Sequence, residues 1–400
     1  MKLRLEERLI LSCVKIQPSP EDLEEINVLI PLIRDWEYLI STIIDRGIGP
    51  LLFKKLPYLT NSSQIPESVK TKLQQVYYKT FSRSTILYEH FRKIAEAFEL
   101  KDIPLIALKG IYLSEWLYQD IGLRQFSDID LLVKEEDGEK CLQILGHMGY
   151  KQSSVGKMSD FVTANLDIVH YPPMIQNGIS IEIHIKLSVK TEKYNIIISE
   201  LWSKAFLTTL NGVKILALNI DNLLIHICLH LERHFRGGKV QFTCFNDITN
   251  ILDNYSNLIN WVTFTKTCQL YKCEDLVYLH IVMTNKYMHA KVPESIIIKY
   301  SYLLKRKDER LFCYYLKGSI RKGFTMTISN HFGQLNQLGK LTDKVKYLSG
   351  VLFPSRIFMV IRYKIKRPYL FLFYYPYRYY IGVSGVMNYL KKKVVGKGRK

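Results

Sequence analysis

Arg124-Gln125-Phe126-Ser127-Asp128-Ile129-Asp130-Leu131-Leu132-Val133 reads as a β-strand that opens on two carboxylates. Side chains alternate across a strand, so Asp128 and Asp130 share one face, roughly 7 Å apart at Cα. Ile129, Leu131 and Val133 take the opposite face, and Leu132 lies deeper along the carboxylate face. Two unpaired acids beside such apolar neighbours are costly, and a shared cation is the natural compensation. The bland alternative is a solvated strand end or a helix-capping Asp.

Upstream, residues 103–108 form a short apolar run that ends at Lys109-Gly110 and leads into an amphipathic stretch at 111–118. That order is strand, turn, helix. Backbone N–H groups at a helix N-terminus attract phosphate, and glycine permits close approach. Lys109 adds a charge, and Arg124 offers a forked donor. Downstream, Glu135-Glu136-Asp137 opens a helix that runs through Leu145 to Met148 and stops at Gly149.

Two further β-like runs, 161–170 and 179–187, are separated by Pro172-Pro173 and Asn177-Gly178, which suggests a hairpin with a connection longer than two residues. In the second run Glu182 and His184 share one face, and the neighbouring isoleucines take the other. Glu182 is a candidate third carboxylate. It suits either a metal ligand or a general base. Two Mg²⁺ ions held by such acids would neutralise triphosphate oxygens and stabilise a pyrophosphate leaving group.

Residues 1–100 carry apolar positions at helical spacing, with a loop expected at 57–66, and nothing in them resembles chemistry. Beyond residue 200 the pattern is mostly helical again, clearest at 223–234 and 247–252. His226, His230 and His234 recur every four residues on one helix face. A zinc site can be drawn from that spacing, but the apolar neighbours favour core-edge or substrate-contact groups, with His230 and His234 lining an acceptor pocket. The expected fold class is α+β, with a small mixed-sheet core at 101–200, helical regions at 1–100 and 201–340, and a basic aromatic segment at 341–400.

The 56 Lys and Arg against 37 Asp and Glu leave a formal charge of +19, a surface that favours polyanions: nucleotides, nucleic acid or anionic lipid. Fourteen Lys and Arg against Asp343 alone fall at 341–400, so most of the excess sits there. That segment, with its aromatic run at 369–380, could hold nucleic acid, lie on an anionic membrane, or pack on the body while its last residues fray. Seven scattered cysteines without paired spacing point to a reducing compartment. The N-terminus lacks the pattern of a signal peptide, and residues 351–361, the longest approach to an apolar span, contain Pro354 and Arg356. The expected location is therefore cytoplasmic, with peripheral contact at the membrane left open.

Leu-Lys-Gly at 108–110, Arg-x-x-x-Asp-Ile-Asp-Leu-Leu-Val at 124–133 and Glu-Ile-His at 182–184 together resemble the uncharacterised bacterial nucleotidyltransferases of the DNA polymerase β-like superfamily. The likeness spans roughly 103–187 and continues more weakly through Leu229-His230, His234, Asp247-Ile248 and residues 352–355. It implies Mg²⁺ and transfer of a nucleoside monophosphate from an NTP, with ATP as the default, to a hydroxyl acceptor. Asp128, Asp130 and Glu182 match the metal-binding and catalytic acids. Lys109, Gly110, Arg124 and Ser127 form the expected nucleotide-binding set, and His184 with His230 and His234 the acceptor side. Lys109-Gly110 stands where much of the superfamily has Gly-Ser, so its phosphate contact must differ. The rival expectation is a catalytically idle module of the same fold that holds nucleic acid or an anionic membrane.

Overall fold

The computed structural model describes residues 3–153, 169–188, 192–237, 242–317, 335, 340–363, 365 and 367–397. Its N-terminal part is five helices: α1 (Leu5–Ser12), α2 (Pro20–Leu29), α3 (Trp36–Asp45), α4 (Gly49–Lys55) and α5 (Glu67–Glu99). Local chemistry sets their starts. The Ser19 hydroxyl accepts from the Asp22 N–H with Pro20 next in line, and the Asp35 carboxylate accepts from the Tyr38 N–H. Between α4 and α5 the expected loop contains two 3-10 turns, Leu56–Tyr58 and Thr60–Gln64.

Helix α5 has 33 residues and is thus roughly 50 Å long. Leu73, Leu87, Phe91, Ile94 and Phe98 bury one stripe of it. Its Tyr88 hydroxyl donates to Ile111 O at 2.7 Å, and Arg83 Nη2 donates to Gly178 O at 2.7 Å. The long helix therefore braces the sheet on which the carboxylates sit.

The sheet has seven strands: β1 (Leu105–Leu108), β2 (Asp128–Val133), β3 (Lys151–Gln152), β4 (Met174–Gln176), β5 (Ile179–His184), β6 (Phe206–Leu210) and β7 (Val213–Ala217), in the order β3-β4-β5-β2-β1-β7-β6. β2 runs parallel to β5, β1 parallel to β7, and the other pairs are antiparallel. The fold class is α+β with a mixed sheet, as expected. β1 is buried throughout and β2 beyond its first residue, because helices cover these central strands. α6 (Lys109–Trp116) follows β1, and α7 (Gly138–His147) follows the acidic turn after β2.

Two features depart from the sequence expectation. The hairpin closes on Asn177-Gly178 between β4 and β5, a two-residue turn in which both residues have positive φ, so its first strand begins after the two prolines. Of the strand expected at 161–170, residues 161–168 lie outside the described residues. The remainder runs antiparallel to the end of β5, where the Tyr171 N–H donates to Ile183 O at 2.9 Å. The sheet also continues past residue 200, because β6 and β7 turn on Asn211-Gly212, again with positive φ at both residues.

The helical half begins with α8 (Ile198–Ser203) and continues after the sheet as α9 (Ile220–Gly237), α10 (Thr243–Tyr255), α11 (Trp261–Leu270), α12 (Glu274–Met288), α13 (Glu294–Tyr300) and α14 (Arg306–Leu316). Phe235, Phe245 and Phe312 lock α9, α10 and α14 through edge-on rings. Asn250 on α10 ties this half to the N-terminal helices: its amide accepts from the Ile16 N–H at 2.7 Å and donates to Val14 O at 2.9 Å. The chain then forms α15 (Leu341–Leu352), α16 (Arg356–Arg362) and α17 (Tyr374–Lys397). All seven cysteines are buried and free. No described helix is long and apolar enough to cross a membrane.

Candidate active site

Parallel pairing of β2 with β5 sets Asp130 opposite Glu182 and Leu132 opposite His184, while antiparallel β1 sets Leu108 opposite Asp130. Lys109 follows at once with φ +46°, a conformation that a lysine rarely adopts. From there its Nζ lies 2.7 Å from Asp130 Oδ1. On the other side His184 Nε2 donates to the same oxygen at 2.9 Å and lies 3.6 Å from Glu182 Oε2. His170 Nε2 stands 3.8 Å from that Glu182 oxygen. Lys109 from the turn after β1 and His184 from β5 thus converge on one buried carboxylate.

The electrostatics follow from crowding. Burial alone would raise the Asp130 carboxyl, but the Lys109 ammonium and the His184 hydrogen bond outweigh it and hold the group well below the usual carboxylate range. Burial also opposes ionisation of Glu182, and His184 again prevails and keeps it low. Asp128 has no such partner. Its carboxyl is pushed up to about 6, first by burial and then by the neighbouring Asp130 charge. Lys109 is held above its ordinary value because Asp130, Asp128 and Glu182 together overcome its burial.

These donors suit a divalent cation. Ligand atoms of Asp130, Glu182 and His184 all lie within 4.8 Å of one another, and two of the three are hard carboxylate oxygens. His184 Nδ1 is buried without a hydrogen-bond partner. The raised Asp128 carboxyl signals negative charge that the protein only partly balances. Asp128, expected among the metal ligands, falls outside this group, and His184, expected on the acceptor side, lies within it.

A cavity of about 380 Å³ opens beside the acids. Lys109, Asp128, Asp130 and Ser127 line it. Gly110 also lines it, and the glycine is needed there because a Cβ would meet Phe126 Cβ at 2.7 Å. His230 from α9 and Thr243 from α10 line it from the helical half. His230 is held largely neutral by burial, then by the Lys109 and His234 charges. The His234 ring lies 4.5 Å from it, and His226, one turn earlier, is buried with Nε2 unpartnered.

Arg124 borders the cavity, but its fork is engaged: Nε donates to Asp247 Oδ1 at 2.9 Å and Nη2 to Asp247 Oδ2 at 2.7 Å. The Tyr118 hydroxyl donates to the same carboxylate at 2.9 Å. The residue therefore fastens the strand that carries the acids to α10. Sequence reasoning missed two groups here. Asp247 is legible in the sequence as a helix position and as part of the weaker family likeness, but not as the partner that completes this buried ion pair. Arg46, just after α3, lines the cavity half-buried with Nε unpartnered, and burial lowers its pKa. No motif marks it, and only the approach of the turn after α3 to Gln125 and Thr243 brings it in.

A family model described as an uncharacterised nucleotidyltransferase matches residues 34–289, which takes in Arg46, the sheet and the helices as far as α12. No curated protein and no solved structure matches the chain.

Proposed function

The chain belongs to the uncharacterised nucleotidyltransferase family, and on that footing we propose that it transfers a nucleoside monophosphate from an NTP to a hydroxyl acceptor in the cavity beside Asp128 and Asp130. The observation that carries this reading is the clustering of Glu182, His184 and Lys109 around Asp130, which with Lys109 and Asp128 lines the cavity. Asp128, Asp130 and Glu182 are the acids that hold Mg²⁺. When bound, Mg²⁺ supplies the charge that neutralises triphosphate oxygens and the departing pyrophosphate. ATP is the first nucleotide to try.

The protein's own groups do the rest. Lys109 and Arg46 are cations on the same cavity and seat the triphosphate between them. His184 fixes Asp130 in one orientation by its 2.9 Å hydrogen bond. The acceptor oxygen gives its proton to water and attacks the α-phosphorus, the bond to the bridging oxygen breaks, and pyrophosphate leaves. His230 and Thr243 face that acceptor from the helical half. Because catalysis here is mostly positioning, the Arg124–Asp247 pair matters through the strand it fastens.

A second reading, an idle module of the same fold, rests on the Lys109–Asp130 pair itself, since an ammonium already neutralises the deepest acid. The two separate on one titration. Calorimetry of the full chain with Mg²⁺ and ATP gives saturable binding that needs both if the site is active; heat that is absent, or unchanged in Asp130→Asn, favours the idle module.

A further inference from the structure

We propose that the C-terminal helices form a docking surface for an anionic membrane. Twelve of the 29 large hydrophobic side chains exposed among the described residues fall between Leu341 and Met387, a concentration that isolated surface apolar residues do not produce. They follow helical spacing. On α15, Leu341, Val345, Leu348 and Leu352 stand at i, i+4, i+7 and i+11, one stripe along the helix, and all four are exposed, Leu341 by 76%. Phe373, Tyr377, Tyr380 and Met387 repeat the pattern into α17, with Tyr380 exposed by 73%.

The opposite sides of these helices are already engaged. Tyr347 on α15 and Met359 on α16 are fully buried. The Tyr375 hydroxyl donates to Pro354 O at 2.7 Å, and Arg378 Nη2 donates to Val351 O at 2.7 Å. Phe353 packs against the rings of Tyr375 and Tyr379. The unit is thus knitted on its inner side and leaves its apolar stripes outward.

Charge decides the occupant. Residues 341–400 carry 14 Lys and Arg against one acid, and Arg356, Arg362 and Arg367, between the two striped helices in the chain, are exposed. That excess opposes pairing with a second copy of the same surface. The α15 stripe is aliphatic and offers a nucleic-acid base nothing to stack on, whereas Leu and Val gain most from acyl chains. Basic residues above an apolar, aromatic-edged face are the chemistry of a helix lying in the headgroup region of an anionic bilayer. None of these helices is suited to crossing it.

The test is co-sedimentation of the full chain with vesicles of phosphatidylglycerol and phosphatidylcholine, against vesicles of phosphatidylcholine alone. Binding is expected only to the anionic vesicles, weakened by salt, and reduced about tenfold or more in Leu348→Asp/Tyr380→Asp. Circular dichroism checks that variant, and Leu341→Asp with Phe373→Ser, at more exposed positions, repeats the measurement should the first pair fail to fold. Absence of vesicle binding, or binding that both pairs leave intact, overturns the proposal. So does retention of an RNA fragment without vesicle binding, or a dimer split by the same substitutions in a chain that ignores vesicles.

Discussion

Lys109 Nζ lies 2.7 Å from Asp130 Oδ1, so the most buried acid of the site is neutralised by the protein's own ammonium. The same lysine has φ +46°, a strained backbone kept where its side chain crosses from the end of β1 to β2. Removing the ammonium should act in opposite directions on two ligands. Lys109→Gln should bind Mg²⁺ alone more tightly, because a competing cation is gone, and bind ATP at least about tenfold more weakly. Isothermal titration with each ligand separately reads both. Parallel weakening of the two would show that Lys109 merely supports the fold.

Arg46 should contribute to phosphate affinity alone. Arg46→Ala is expected to weaken ATP binding by about tenfold while adenosine binding stays as in the parent chain. Fluorescence titration with the two ligands makes the comparison, and equal losses for both would remove Arg46 from the triphosphate seat.

The Arg124–Asp247 pair is a fastening between strand and helix, and its loss should appear first as lost stability. Both groups are buried, with side chains exposed by 6% and 1%. Asp247→Ala leaves Arg124 and the Tyr118 hydroxyl without their acceptor and should cost about 3–5 kcal/mol in denaturant unfolding. A cost below about 1 kcal/mol would mean that the pair is replaceable by solvent.

Asp128 makes the metal-free protein pH-sensitive. Its folded carboxyl is raised to about 6 from an ordinary value near 4. The protonated form is thus favoured by folding. That contribution is fully present below about pH 4 and lost as pH rises through about 6. Without divalent cations, Asp128→Asn should match the parent at acid pH and exceed its stability at neutral pH by about 2 kcal/mol. Equal stability across that window would place Asp128 in solvent.

How far these relationships were legible varies with their range in the chain. Asp128 and Asp130 on one strand face, Glu182 and His184 on another, and the strand-turn-helix around Lys109 are local patterns of period and turn chemistry, and the sheet reproduces each. The hairpin on Asn211-Gly212 was equally local, with apolar runs on either side, and was hidden only by the strongly helical chain that follows. Partner choice was not legible. Arg124 carries a fork suited to phosphate, but Asp247, far along the chain, takes it, and Arg46 reaches the cavity only because the turn after α3 meets Gln125 and Thr243. Such pairings depend on tertiary contacts that leave no period in the sequence.

The most direct test of nucleotidyl transfer is release of pyrophosphate from ATP by the full chain with Mg²⁺, followed with α-labelled nucleotide so that the adenylated product is captured too. Mg²⁺-dependent pyrophosphate release is expected, with label retained on an acceptor, and lost by at least about a hundredfold in Asp130→Asn and in Glu182→Gln. Release that persists unchanged in both variants, or none with any of the four common NTPs although the parent binds Mg²⁺ and nucleotide, would contradict it.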